Sequence, residues 1–155
     1  MDMLMALALS IGVLIAVWTY VAVAVATLQL SVWAGIVAWG CFFAAGGKIQ
    51  GFQKTAFANL SGLVYVFIVM QVLGPLGGGN VVLAVLVGVI AFLMVVQSKI
   101  AALSFIPGAF IGAAVTVGTG PKDIKGYIMT AVSLVIGALL GYVSEAVAGA
   151  IAKKA

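Results

Sequence analysis

The stretch Met5-Ala-Leu-Ala-Leu-Ser10-Ile-Gly-Val-Leu-Ile15-Ala-Val-Trp18-Thr-Tyr20-Val-Ala-Val-Ala24 carries no charged side chain. A helix needs about 20 such residues to cross the hydrocarbon of a bilayer. The apolar positions run on without the alternation of a strand, and lipid admits only helices and closed barrels, whose backbone groups are all bonded internally. The stretch therefore reads as a membrane-spanning helix. Ala22-Val23-Ala24 imitates a signal-peptidase site, but Met1-Asp2-Met3 offers no Lys or Arg ahead of it. The apolar run is also longer than the short apolar core of a signal peptide, so segment one is expected to stay as a span.

Five more runs follow, at Leu28 to Ala45, Phe57 to Leu73, Val81 to Gln97, Ile100 to Val117 and Tyr127 to Ala148. They are separated by Gly46-Gly47-Lys48, Gly74-Pro75 with Gly77-Gly78-Gly79-Asn80, Ser98-Lys99, and Thr119-Gly120-Pro121-Lys122-Asp123, the residues that punctuate turns. The expectation is an all-α integral membrane protein of six transmembrane helices forming one domain over 1–155, with a Lys-ended tail at 150–155. Ser98-Lys99 is a very tight turn, which keeps open a five-span arrangement with a re-entrant segment near Pro107. With six spans, Lys48, Lys54, Lys99, Lys153 and Lys154 share the face of both termini, opposite Lys122 and Lys125. Positive loops stay inside, so both termini are expected to be cytoplasmic.

Composition agrees. Of 155 residues 66% are hydrophobic and 6% charged, and His is absent, against roughly half apolar and a quarter charged in soluble domains. The seven Lys, of which only Lys153 and Lys154 are adjacent, are scattered between apolar blocks despite a net charge of +4, which excludes a basic stripe for nucleic acid. Cys41 is alone and reads as a small buried apolar group. Nucleotide-binding, metal-ligand and hydrolase motifs are missing, so neither a cofactor nor an enzymatic activity is expected.

The chain also resembles itself. Ile11-Gly12-Val13-Leu14 matches Val87-Gly88-Val89-Ile90; Leu30, Ser31 and Gly35 match Leu103, Ser104 and Gly108. Ile49, Gly51, Phe52, Thr55, Ala56 and Gly62 match Ile124, Gly126, Tyr127, Thr130, Ala131 and Gly137. Two units, at about 4–73 and 80–149, would each hold three spans, and the odd number inverts the second unit. Inverted repeats place a solute path near the bilayer midplane, where the units meet.

Candidate path residues follow from that expectation. Pro107-Gly108 falls near the middle of the fifth run, where proline frees backbone carbonyls; the fifth helix is expected to be broken or kinked there, either lining a path or merely bending. Its counterpart is Ala34, so the break should be confined to one unit. Ser104, Gly108 and Gly112 share a helical face, as do Thr130, Ser133, Gly137, Gly141 and Ser144, suiting either close helix packing or a hydroxyl-lined wall. Thr55, Asn59 and Gly62 have the same spacing. Asn59 either joins two helices or faces water, because an unbonded amide in hydrocarbon is costly. Phe110 or Trp39 could constrict the path, and Trp39 otherwise faces protein. Glu145, Gln71 and Gln97 read as boundary residues, and Trp18, Trp33, Tyr65, Tyr127 and Tyr142 suit the interfacial belts.

Leu103-Ser104-Phe105-Ile106-Pro107-Gly108-Ala109-Phe110-Ile111-Gly112-Ala113-Ala114 resembles the bacterial inner-membrane family called domain of unknown function 1097. The Gly46-Gly47-Lys48 turn before Gly51 and Leu60-Ser61-Gly62 support the likeness. The resemblance implies an inner-membrane location and a multi-pass architecture, with no established activity. No proton relay or ion ring is available without His, Arg or a mid-membrane acid. The expected function is a channel or facilitator for a small neutral or weakly polar solute, built as a homo-oligomer. An accessory protein that packs its glycine faces against another membrane protein is the alternative.

Overall fold

Asp2 accepts a hydrogen bond from the Met5 amide at 2.8 Å, and from this cap helix α1 runs over Met3–Ala24. A 3-10 turn at Ala26–Leu28 leads to Ser31, whose hydroxyl caps α2, Val32–Ala44. Gly46 and Gly47 take φ of +100° and +67° to reverse the chain, a conformation closed to most side chains. Next come α3, Lys48–Leu73, and α4, Asn80–Val96. Two 3-10 turns, Gln97–Lys99 and Ala101–Leu103, precede α5, Ile106–Thr119. Asp123 caps the last helix, α6, Ile124–Ile151, by accepting from the Gly126 amide at 2.8 Å. This computed structural model describes residues 1–152; Lys153 and Lys154 of the expected tail lie outside the described residues.

The described chain is all α-helical apart from its turns, as the sequence predicts, but the helices are unequal. Four are long and apolar enough to cross a membrane: α1, α3, α4 with its 3-10 extension to Lys99, and α6. By contrast α2 and α5 have 13 and 14 residues, about 20 Å each against about 30 Å of hydrocarbon. The second and fifth apolar runs do not stay helical throughout, and hydropathy does not tell a helical apolar residue from an irregular one. The expected break in the fifth helix is also displaced. Pro107 is the second residue of α5, where its missing N–H costs no helical bond. The interruption lies before it, at Ser104-Phe105. Nor is it confined to one unit, since α2 also starts only after a non-helical stretch.

Two pairs of helices are pressed together along glycine. On α3 and α5, Ala58 meets Gly108, the Asn59 backbone meets Gly112, and Gly62 meets the backbone of Ala109 and Ala113. On α2 and α6, the Ser31 amide donates to Ser133 Oγ at 3.0 Å, Gly137 lies on the Gly35 carbonyl, and Trp39 Nε1 donates to Ser144 Oγ at 3.1 Å. Residue numbers rise together in both pairs, so α3 is parallel to α5 and α2 to α6. Close backbone approach of this kind supplies the packing that lipid-solvated helices need. Between α3 and α6 the rings of Phe52 and Tyr142 are 6.5 Å apart, and those of Phe67 and Tyr127 5.0 Å apart. These helices are therefore antiparallel, and the midpoint between the two contacts falls at Asn59-Leu60 on α3 and Leu134-Val135 on α6.

The remaining helices form the outside. On α1, Trp18 is buried and donates from Nε1 to the Val32 carbonyl at 3.0 Å; on α4's extension, buried Gln97 donates from Nε2 to Ser61 Oγ at 2.9 Å. The burial of Trp18 corrects the sequence reading, which gave it to the interfacial belt; Gln97 stands at the end of its span, as the sequence predicts, and is also tied inward. Leu4, Val81 and Phe92 stand among the outward-facing side chains of α1 and α4, as expected of surface that lipid solvates.

Candidate functional site

Where α3 and α6 cross, α3 presents Asn59, fully buried, and α6 presents Leu134, also buried. One helical turn before Asn59 on the same face lies Thr55, likewise without exposure. Neither Oδ1 nor Nδ2 of Asn59, nor Oγ1 of Thr55, has a hydrogen-bond partner. Nearby, Leu63, Leu134, Ala34, Ala38 and Val115 form an apolar cluster. A buried polar group left unbonded costs about 1–3 kcal/mol. Three such atoms within two turns of α3 set this face apart from an ordinary helix contact, which would be satisfied or apolar.

Toward the α5–α6 turn the bundle opens. A cavity of about 530 Å³ is lined by Gln29, Leu30 and Ser31, by Gly118 through Asp123, and by Trp33, Gly126 and Thr130. A second, of about 370 Å³, lies between Val66, Phe67, Met70 and Gln71 of α3 and the same turn, and shares Gly120, Pro121, Lys122 and Asp123. Thr130 and Thr119 are hydroxyl to hydroxyl at 3.1 Å on the wall of the larger cavity. Deeper along α6, Ser133 Oγ accepts from the Ser31 amide and donates to the Met129 carbonyl at 2.8 Å. Neither cavity is lined by Asn59 or Thr55.

The opposite end is tied. Glu145, near the end of α6, accepts a 2.6 Å hydrogen bond at Oε2 from the Lys48 amide, which opens α3. Gly47 has no side chain to cap that helix, and a Cβ on it would lie 2.9 Å from Glu145 Oε1. A carboxylate at a helix N-terminus bonds an orphan amide and faces the positive end of the helix dipole. Glu145, which the sequence places at the interface, thus caps α3 from another helix.

The expected path residues divide into three groups. Asn59 and Thr55 are buried on α3 with free polar atoms; Thr130 lines the larger cavity, and Ser133 is buried and bonded to the Ser31 amide and the Met129 carbonyl. Gly108 and Gly112 are consumed in the α3–α5 contact, and Trp39 faces protein, bonded to Ser144 and lining an apolar cavity of about 230 Å³ between α1 and α2. Ser104, Pro107 and Phe110 are exposed on the single chain and take no part in its buried centre. The reason is the late start of α5, which leaves these residues at or near its first turn. Sequence reasoning missed the polar ties Gln97–Ser61 and Glu145–Lys48. The Glu145 carboxylate alone gave a signal, because its partner is a backbone amide.

A helical bundle with four membrane-length helices and a polar centre is an integral membrane protein. The chain belongs to the family described as protein of unknown function (DUF1097), whose model matches residues 8–149. It is 35% identical over 117 residues to "Inner membrane protein YcdZ" of Salmonella typhimurium strain LT2, covering 75% of this chain and 71% of that protein. The protein of the same name from Escherichia coli K12 is 34% identical, with 75% and 69% covered. "Uncharacterized protein YahC" from Escherichia coli K12 is 32% identical over 116 residues, covering 72% and 68%. No solved structure matches the chain.

Proposed function

We propose that the chain is a facilitator of the bacterial inner membrane that passes a small neutral solute across the bundle centre at Asn59. The observation carrying this reading is the buried amide, unbonded at both its oxygen and its nitrogen. A protein that needed only to pack would place an apolar residue there, as α6 does with Leu134. The larger cavity, with Thr130 and Thr119 on its wall, is the entrance from one side, and Ser133 and Thr55 are further polar positions on the way. Since neither cavity is lined by Asn59, solute reaches it when the helices shift, so access is gated.

In this reading the six helices thread the membrane alternately, with both termini cytoplasmic, as two inverted units. Two features support the inversion. The sequence match relates Phe52 to Tyr127, and the same register relates Phe67 to Tyr142; exchanging the units turns the Phe52–Tyr142 contact into the Tyr127–Phe67 contact. The matched glycines Gly62 and Gly137 each press on the short helix of the other unit, α5 and α2. Inverted units bind solute at the midplane where they meet, and this reading puts Asn59 there. Gly62, Gly108, Gly112, Gly137 and Gly141 are all covered within one protomer, so the accessory alternative would have to use other faces. Assembly as a homo-oligomer would use α1 and α4, whose Gly12 and Gly88 are bare.

The test is flux into proteoliposomes for a panel of urea, glycerol, ammonia and short carboxylates. The reading expects at least one neutral solute to enter faster than into empty liposomes and Asn59→Leu to abolish the gain. Rates at the empty-liposome baseline for the whole panel would refute it.

A further inference from the structure

We infer that the solute bound at Asn59 is a carboxamide or urea, recognised by the pairing of two amide groups; the inference rests on the facilitator reading and names its substrate class. The argument is one of complementarity. The side-chain amide of Asn59 presents an acceptor and a donor side by side, and both are free in a fully buried position. A ligand closes a planar pair with both at once when it carries a donor and an acceptor with the same side-by-side geometry; a hydroxyl can also donate and accept, but without that planar match, and glycerol is the comparison that separates the two. An ammonium or metal cation offers nothing to Nδ2, a carboxylate or other anion repels Oδ1, and a ketone answers Nδ2 alone. A primary amide or urea meets Asn59 in a closed pair of N–H···O bonds, its oxygen on Nδ2 and one N–H on Oδ1.

Thr55 completes the set. Its Oγ1 is free and buried one turn earlier on the same face of α3, placed to accept from a further N–H of the same ligand. Amides and ureas have such an N–H beyond the paired one. The ligand must also be small, because Gly112 holds α5 directly against the Asn59 backbone and Leu63 and Leu134 pack close by. No formal charge enters the scheme, since Asn59 contributes an amide and Thr55 a hydroxyl. A site built to bond a particular polar group rejects analogues lacking it by large factors, since its own groups are then left unpaired.

The experiment uses the full chain in proteoliposomes and nanodiscs. Stopped-flow entry of urea and methylurea is compared with that of glycerol, and thermal melts are recorded with acetamide, acetone and acetate. Wild type is expected to speed urea entry by about tenfold or more over glycerol entry, each relative to empty liposomes. Acetamide is expected to raise the melting temperature where acetone and acetate do not. Asn59→Leu should lose the urea gain and the acetamide shift together; Thr55→Val, a milder change that keeps the fold, should lose part of each. Equal acceleration of urea and glycerol, or an acetamide shift kept in Asn59→Leu, overturns the amide assignment and leaves the facilitator reading standing. A melt indifferent to acetamide in wild type shows that water alone serves Asn59, and overturns it too. Wild-type rates at the empty-liposome baseline for every solute overturn the facilitator reading, and this inference with it.

Discussion

The two ends of the bundle solve the same problem differently. At each, a long inner helix begins and needs a partner for its first free amides. The start of α6 is capped by its own Asp123, a local bond that ties no other helix. The start of α3 is capped by Glu145 from the far end of α6, so the cap doubles as a clamp between helices. The consequence is visible in the packing, because the two cavities flank the α5–α6 turn with Asp123 on both walls. Where the carboxylate bridges, two helices are tied together; where it stays local, the two larger cavities lie. In the facilitator reading, the Asp123 end admits solute and the Glu145 end releases it only when the clamp opens.

The comparison breaks most severely if the shared frame is lost. Gly62→Leu should push α3 off α5 and Gly137→Leu should push α6 off α2, each costing about 3 kcal/mol or more through overpacking against backbone. Loss of the folded, monodisperse species for both, read by size exclusion and thermal melts, is the expected result. A folded Gly137→Leu beside an unfolded Gly62→Leu would show that the two parallel contacts are not equivalent. The clamp comes next. Glu145→Ala should cost about 1.5–3 kcal/mol, the range for a hydrogen bond to a charged group, discounted toward its lower end because Glu145 is only half-buried. Asp123→Ala should cost only about 1 kcal/mol, as loss of a cap. Equal losses would erase the distinction between bridging and local caps. The finest probe is thiol accessibility in a Cys41→Ala background: a Cys at position 130 should react with a water-soluble maleimide added from the α5–α6 side, while a Cys at 55 stays protected. Release of position 55 by Glu145→Ala, labelled from the other side, would sharpen the account of the clamp.

The fold was legible to different degrees along the chain. Long apolar runs located every helix, and α1 and the late part of α6 end close to the expected residues. The apolar run expected for the third span begins only at Phe57, whereas α3 starts at Lys48 and runs through Gln50, Gln53 and Lys54. Long side chains carry charge to the headgroups from a helix that continues, so polarity alone did not mark its end. The shortness of α5 was illegible, because residues 100–105 are nearly all apolar; before α2, Gln29 and Ser31 were the only marks, and they were too few to interrupt the apolar run from Leu28 to Ala45. Asn59 stood out in sequence as an amide inside an apolar run, but its lack of partners depends on α5 and α6 placing apolar or already bonded groups beside it. Glu145 was visible as a lone acid. Its role was not, since its partner is the backbone of a residue 97 positions away, and backbone leaves no mark in composition.

The central claim is that Asn59 is kept for a solute at some cost to stability, as functional sites often are. The most direct measurement is the thermal stability of Asn59→Leu against wild type, in nanodiscs without added solute. Removing two unbonded polar atoms from a dry centre should make the variant more stable, by about 1–3 kcal/mol. A less stable variant would mean that the amide holds the helices together, and would contradict the account.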